Sequence, residues 1–239
     1  MKKVAIILAG GVGSRVGSII PKQFIEVLGK PVLAYTIEAY QKNSNIDFIE
    51  IVCIKSHMDY LKNMIKVEKF DKVKWITEGG KDFQNSVING VQNLKNKIDD
   101  EDMVLIHYGA SPFVTDEIIN DSIKVCEEKG NATSATRCFL LAGTYEDNNT
   151  SLNWVDRDKI ALLNCPHSFK YKYINELYEK AQKVGILETC EPHTTSLMYE
   201  LKEKIYLSKG SQSNIKITTK EDLDILEGYL LMHKNRNNK

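Results

Sequence analysis

The segment that decides the fold is residues 2–24, KKVAIILAGGVGSRVGSIIPKQF. Val4-Ala5-Ile6-Ile7-Leu8 is a continuous apolar run, short enough to be a buried strand. It breaks into Gly10-Gly11-Val12-Gly13, and two cations follow at Arg15 and Lys22. Strand, glycine loop and cations in that order is how an α/β protein holds a phosphorylated ligand. Glycines let the backbone approach closely, free N–H groups face the anion, and the cations neutralise it.

Three readings of the loop compete. The first is a tight strand-to-helix turn with solvated charges. The second is a dinucleotide-binding turn, which needs G-x-G-x-x-G and an acidic residue at the end of the second strand. Here the third glycine is late, at Gly17, and the next apolar run, residues 48–54, ends on Lys55. A P-loop fails because no Gly-Lys-Ser/Thr follows. The third reading is a nucleoside triphosphate loop, which uses both Arg15 and Lys22.

Beyond the loop, apolar runs alternate with helical patterns. Pro31 suits a first helical turn, with Val32, Leu33, Ile37 and Tyr40 on one face. Strands are expected over residues 48–54, 73–76, 103–106 and 132–138, with helices between them. This repetition predicts an α/β fold: a mainly parallel sheet with helices on both faces. Ligands of such sheets lie beyond the carboxyl ends of the strands. The glycine loop, Gly79-Gly80 and the segment starting at His107 all fall at those ends, so they are expected to converge. Periodicity weakens from 139 to 162, where a solvated loop or a projecting hairpin is expected. Thr218 with Glu221, or Thr219 with Asp222, makes a capping-box pattern before the last helix.

At 239 residues the chain is read as one domain, 1–239. Lys+Arg and Asp+Glu balance at 32 each, so no global field favours nucleic acid or a membrane. Any anion site is therefore local. The five cysteines are scattered, with no C-x-x-C pair, which suggests neither a zinc site nor a disulfide framework. The N-terminal apolar run is too short for a secretory signal, and no segment approaches membrane-spanning length. A cytoplasmic protein with reduced thiols is expected.

Five ordered segments carry a resemblance. LAGGVGSR with PKQ, GGKDFQNSV, HYGASP, VDRDKIALLNCPHSF and SNIKITTKEDL run in sequence along the chain. Together they resemble the cytidylyltransferases that convert methylerythritol phosphate or ribitol phosphate, with CTP, into CDP-alcohols. The resemblance implies a Rossmann-like nucleotidyltransferase domain, Mg²⁺ dependence and a homodimer. It also implies an arm near residues 139–160 that crosses to the partner, and a product used in capsule or teichoic-acid-like polymers.

Residue by residue, Gly10, Gly11, Gly13 and Arg15 match the triphosphate-holding positions, with Leu8 and Ala9 at the strand end. Lys22 and Lys216 match the two lysines near the reacting phosphates, so Arg15, Lys22 and Lys216 are the expected catalytic cations. Gly80, Ser86 and Gly109 match the cytosine-recognition positions, with Lys81 beside them. Arg157 and Thr144 match arm residues that contact the acceptor phosphate, though Asp156 and Asp158 flank Arg157 and offer it surface pairing.

The departures fall on one side of the site. Phe83 stands where the family pattern has Arg, Tyr108 where it has Asp, and Ser111 where it has Arg. Asn164-Cys165-Pro166-His167 replaces Q-T-P-Q, and Thr194-Thr195 replaces a Thr-Asp segment. Tyr108, Ser111, Cys165, His167 and Thr194 are therefore assigned to a remodelled acceptor pocket, for a polyol phosphate as small as glycerol phosphate or for a pentitol phosphate. Losing an Arg–Asp pair together leaves no uncompensated buried charge. His107 reads as a hydrogen-bonded structural histidine, while His193 borders the acceptor. Glu78, Asp82 and Asp156 are metal candidates by location only, so the ligands stay unassigned. The ordinary methylerythritol phosphate enzyme and a non-catalytic nucleotide-binding homologue remain alternatives, and UTP remains open as the nucleotide.

Overall fold

The computed structural model describes residues 1–11 and 20–237. Gly13 and Arg15 lie outside the described residues.

The apolar run forms β1 (Lys3–Ala9), at the middle of a seven-stranded sheet. Its parallel neighbours are β4 (Phe48–Cys53) on one side and β6 (Met103–Tyr108) on the other. Strand β5 (Val73–Glu78) extends the parallel set beyond β4. Beyond β6 come β10 (Ala161–Lys170), β7 (Asn131–Arg137) and β11 (Leu207–Lys209). Strand β10 runs antiparallel to both β6 and β7.

Both sheet faces are covered, which is why β1 reads as unbroken apolar sequence. Ala5, Ile7 and Ala9 share a core with α1 (Val32–Lys42), α2 (Met58–Glu68) and α4 (Asp116–Lys129). Val4 and Ile6 share the opposite core with α3 (Phe83–Asn93), α5 (Tyr171–Lys183) and α6 (Thr194–Glu200). A third cluster joins α7 (Lys220–Asn237) to Ile217, Phe113 and Val27, the last from the small hairpin of β2 (Glu26–Val27) and β3 (Lys30–Pro31). Ahead of α7 the cap is Asp222, whose carboxylate accepts from the N–H groups of Thr218 and Thr219 at 2.6 and 2.8 Å. Among the described residues no helix is long and apolar enough to cross a membrane.

Residues 161–170 are a ten-residue strand where the sequence shows no strand pattern. Pro166 lies at a register shift between Asn164 and His167, so the missing N–H falls where the ladder is already interrupted. The segment from 139 to 160 is a projecting arm with its own two-stranded pairing, β8 (Ala142–Gly143) with β9 (Trp154–Val155). The arm leaves the sheet where Arg137 pairs with Ala161.

Register brings the loops together. Leu8 lies opposite Tyr108, Ala9 opposite Cys53, and Cys53 opposite Glu78. The strands β1, β4, β5 and β6 therefore end along one edge.

Candidate active site

At that edge the glycines meet. A Cβ on Gly10 would lie 3.3 Å from Ser86 Oγ and 3.8 Å from the Cα of Gly79. Gly80 is tighter, since its Cβ would come 2.8 Å from the backbone nitrogen of Ser86. The Ser86 hydroxyl fixes this turn by accepting from the Gly80 N–H at 3.0 Å and donating to the Asp82 carbonyl at 2.8 Å. Gly109 donates its N–H to the Leu8 carbonyl at 2.8 Å, which ties β6 to β1 at the same end. These contacts enclose a cavity of 360 Å³. Leu8, Gly10, Gly11, Gly80, Lys81 and Ser86 line it, with Lys22, Tyr108 and Lys216 on its far side. Ala9 and Gly109 do not line it, and a Cβ on Gly109 would come 2.9 Å from the Leu8 carbonyl oxygen and 3.4 Å from Ala9 Cβ.

The two lysines are connected through the main chain. Lys22 donates its ammonium to the carbonyl of Ile217, the residue after Lys216. Ile217 is itself held by its N–H on the Ala110 carbonyl at 2.8 Å. Two cations far apart in sequence are thus fixed at one end of the cavity, the arrangement an anionic ligand needs. The exposed Lys81 is paired with Glu188 at 2.7 Å.

A second cavity, of 290 Å³, shares Tyr108 and Lys216 with the first. Its other lining residues are Leu163, Asn164, His167, His193, Thr195 and Ser196. Lys216 Nζ lies 4.1 Å from the Tyr108 ring centre, on the divide between the two spaces. The wall around it is aromatic: Phe83 and His193 lie 5.8 and 6.0 Å from Tyr108, and 5.3 Å from each other. The Tyr108 hydroxyl is 3.0 Å from His167 Nε2. Burial pushes His167 down to about 3, with the neighbouring His193, His107 and Lys216 adding to the shift, so its ring is neutral. Burial also raises the Tyr108 hydroxyl well above its ordinary value. His193 is held at Nδ1 by Glu191, which also accepts from Ser196. Burial raises the Glu191 carboxyl, but the Ser196 and His193 contacts outweigh it and leave a net lowering.

Three assigned acceptor residues stand behind this wall instead of on it. Ser111 and Cys165 are wholly buried and line neither cavity. Cys165 Sγ lies 3.6 Å from His107, and burial pushes its thiol up to about 11, leaving it protonated. Thr194 is engaged by the Tyr178 hydroxyl at 3.0 Å, while its neighbour Thr195 takes the lining position. Thr144 and Arg157 sit on the arm and line neither cavity of their own chain. Arg157 donates to the Phe139 carbonyl at 3.1 Å, and Asp156 pairs with Lys159, not with Arg157. His107 is structural, as expected. Its Nε2 donates to the Ser111 carbonyl at 2.9 Å, so its Nδ1 accepts from Tyr40 at 2.8 Å.

Several site residues carried no sequence signal of their own. Gln23 is 2% exposed and donates to the carbonyls of Ala9 and Gly11. Gln84 donates to the His193 carbonyl at 3.2 Å and accepts from Tyr178 at 2.7 Å, so it sets the approach of the His193 loop. Asn164 bonds the carbonyl of Asn214, two residues before Lys216. All three fall inside the segments quoted above, but the contacts themselves are tertiary, and nothing in the sequence assigned these side chains a partner.

Among the described residues no three His, Cys, Asp or Glu side chains converge to hold a metal. Asp82 is the carboxylate lining the first cavity, and its oxygens accept from Asn85. Glu78 pairs with Lys55 at 3.7 Å. A larger hollow of 1140 Å³ lies between α3 and α5, lined by Lys2, Asp99 and Asp100 among others. It is at the opposite ends of the strands and contains none of the loops described above.

The family model described as "IspD: 2-C-methyl-D-erythritol 4-phosphate cytidylyltransferase" matches residues 3–232. A ribitol-5-phosphate cytidylyltransferase of Lacticaseibacillus paracasei is 35% identical over 228 residues, 95% of this chain and 97% of that protein. A 2-C-methyl-D-erythritol 4-phosphate cytidylyltransferase of Clostridium perfringens is 38% identical over 230 residues, 96% of this chain and 99% of that protein. The crystal structure of 4-diphosphocytidyl-2C-methyl-D-erythritol synthase from Anaerococcus prevotii aligns with a TM-score of 0.79 at 27% identity. That alignment covers 96% of this chain and 98% of the other. Since the match runs through the sheet and both cavities at its edge, the chain belongs to this family of polyol-phosphate cytidylyltransferases.

Proposed function

We propose that the chain transfers a cytidylyl group from CTP to the phosphate of a small polyol, giving a CDP-polyol and pyrophosphate. The observation that carries the reading is the pair of cavities meeting at Lys216, one lined by glycines and the other by polar side chains. The triphosphate occupies the first, where the backbone of Gly10, Gly11 and Gly80 admits it closely. The acceptor occupies the second, with its phosphate directed to Lys216.

In the reaction an acceptor phosphate oxygen attacks the α-phosphorus, and the bond from that phosphorus to the bridging oxygen breaks. The electron pair leaves with pyrophosphate. The attacking group is already ionised, so no general base is required. Lys22 and Lys216 orient the reacting phosphates and offset the charge that builds on them. Arg15, from the loop segment, is assigned to the same task. Asp82, the carboxylate lining the first cavity, would be the side chain to meet a magnesium ion brought in with the triphosphate, which would supply further neutralisation of charge.

The wall of Phe83, Tyr108 and His193 supports an acceptor other than methylerythritol phosphate. It carries no carboxylate or guanidinium, and its rings pack against one another. Asn164, Thr195 and Ser196 are the groups left to meet hydroxyls. The arm supports a homodimer. Leu140, Leu141, Tyr145, Leu152 and Trp154 all expose large apolar side chains on it. The partner's cavity is then where Thr144 and Arg157 reach an acceptor.

The test is pyrophosphate release from CTP and Mg²⁺ with glycerol 2- and 3-phosphate, ribitol 5-phosphate, arabinitol phosphate and methylerythritol 4-phosphate. Release with a glycerol or pentitol phosphate is expected. Preference for methylerythritol phosphate would overturn the acceptor assignment. CTP binding with silence across the panel would favour a non-catalytic homologue.

A further inference from the structure

We propose that Tyr108 is a positioning residue, whose ring face holds the Lys216 ammonium at the junction of the two cavities while His167 holds the ring. The inference rests on the functional reading above and deepens it. Tyr108 was assigned to acceptor contact by its place in the HYGASP segment, and the geometry gives it a different task.

The ring is held at its backbone, its hydroxyl and its edges. Its backbone is the end of β6, paired with Leu8 of β1. Its hydroxyl meets His167 Nε2 at 3.0 Å, and the other nitrogen of that ring lies 3.3 Å from the Thr133 hydroxyl on β7. Phe83 and His193 stand at its edges. His167 is 2% exposed and neutral, so the tether brings no charge of its own to the site. One face of this braced ring carries Lys216 Nζ at 4.1 Å.

What the ring does to the lysine differs from what a carboxylate does. A lysine stem is flexible, and its ammonium is a point charge without directional preference. An aromatic face restrains such a cation through its quadrupole without taking its proton or cancelling its charge. A carboxylate at position 108 would restrain it as an ion pair, leaving less net positive charge for the phosphates. Tyr108 therefore restrains the ammonium without itself adding negative charge beside it.

Two measurements test this. In the first, the ε-methylene resonance of Lys216, assigned by its absence in Lys216→Arg, is followed by NMR. An upfield ring-current shift is expected in the native protein and in Tyr108→Phe, and its loss in Tyr108→Leu. In the second, Tyr108→Leu is expected to lower kcat about tenfold or more with the KM for CTP changed by less than about threefold, and Tyr108→Phe to recover most of that loss. An unshifted ε-methylene in the native protein overturns the proposal, as does a native kcat in Tyr108→Leu. The native and Tyr108→Phe spectra decide the placement even where Tyr108→Leu fails to fold. If the native protein releases no pyrophosphate with any acceptor, the functional reading fails, while the resonance still shows whether Lys216 sits on the ring.

Discussion

The side-chain amide of Gln23 donates to the carbonyl of Gly11 at 2.8 Å, and the same nitrogen donates to the carbonyl of Ala9 at 2.9 Å. One buried amide thus closes the start of the glycine loop against the end of β1. Gln23→Ala leaves both carbonyls without this donor, a loss of about 1–3 kcal/mol in loop order. The Kd for CTP should rise about tenfold or more, since each 1.4 kcal/mol is a factor of ten. Calorimetric titration of CTP into the variant checks it; an unchanged affinity would remove Gln23 from the site.

Gly80→Ala should abolish nucleotide binding more completely than it unfolds the protein. The new methyl would meet Asn85 Cβ at 2.4 Å, Asn85 C at 2.5 Å and Ser86 N at 2.8 Å, none of them the end of a flexible chain. The turn that presents Ser86 must move. Gly228→Ala is the control, because no heavy atom lies within 4 Å of its added Cβ and the residue is inside α7. There alanine should stabilise by up to about 1 kcal/mol. Thermal melts with and without CTP separate the two effects.

Lys22→Ala and Lys216→Ala should each lower kcat/KM for pyrophosphate release by about a hundredfold, the scale of removing one preorganised charge from a transition state. Lys22→Ala also removes the donor from the Ile217 carbonyl, so it disturbs the segment that carries Lys216 as well. A variant with native kcat/KM would show that the cation is only a solvated side chain.

Stability should depend on pH through three buried groups. Glu50, in the middle of β4, is fully buried. One of its oxygens accepts from Thr77 and Asn93, and the other has no partner among the described residues. Burial raises its carboxyl from 4.5 to about 7, so the native state keeps a proton that the unfolded chain releases, and stability from this group falls as pH rises through that window. Burial takes His107 from 6.5 to about 4 and His167 to about 3, so the unfolded chain binds protons there that the native state refuses. Their contribution falls as pH drops below 6.5. Glu50→Gln should therefore be more stable than the native protein by about 3 kcal/mol at pH 8, with most of the difference gone near pH 4.5. Urea midpoints across that range decide it, and a gain that is the same at both ends would contradict the assignment.

Replacing Leu141 and Trp154 by serine should convert a dimer to monomers without loss of fold. Both side chains are exposed in the single chain, at 81% and 70%. Sedimentation velocity checks the mass, and an unchanged dimer would move the interface elsewhere on the surface.

The sheet and its loops were legible because their signals are local. An apolar run ending in glycines states both a buried strand and the close approach beyond it. The glycine pair after β5 and Gly109 after β6 were readable in the same way. Strand β10 was not, because Asn164, Cys165 and Pro166 break its pattern, and it forms by pairing between two strands already in place. The acceptor side was legible only as a set of departures at Phe83, Tyr108 and Ser111. That Phe83 and Tyr108 face a cavity while Ser111 lies behind it depends on side-chain direction at the end of β6 and on the packing of α3. His193 belongs to no periodic element, and Gln84 holds its carbonyl from more than a hundred positions away.

The two cavities are made of different material. The first includes main chain at Gly10, Gly11 and Gly80, and an added carbon at Gly80 would meet the Ser86 backbone. The second is shaped by side chains projecting from β6, β10 and the segment before α6. Drift in sequence therefore acts unequally on them. Under the proposed assignment, a change at His193 or Ser196 alters which acceptor fits and leaves the sheet untouched. A change at Gly80 removes nucleotide binding outright, and one at Gly109 presses on Leu8 and Leu33, so neither retunes nucleotide choice. On the proposed assignment, a lineage built on this plan can change its acceptor more readily than its nucleotide.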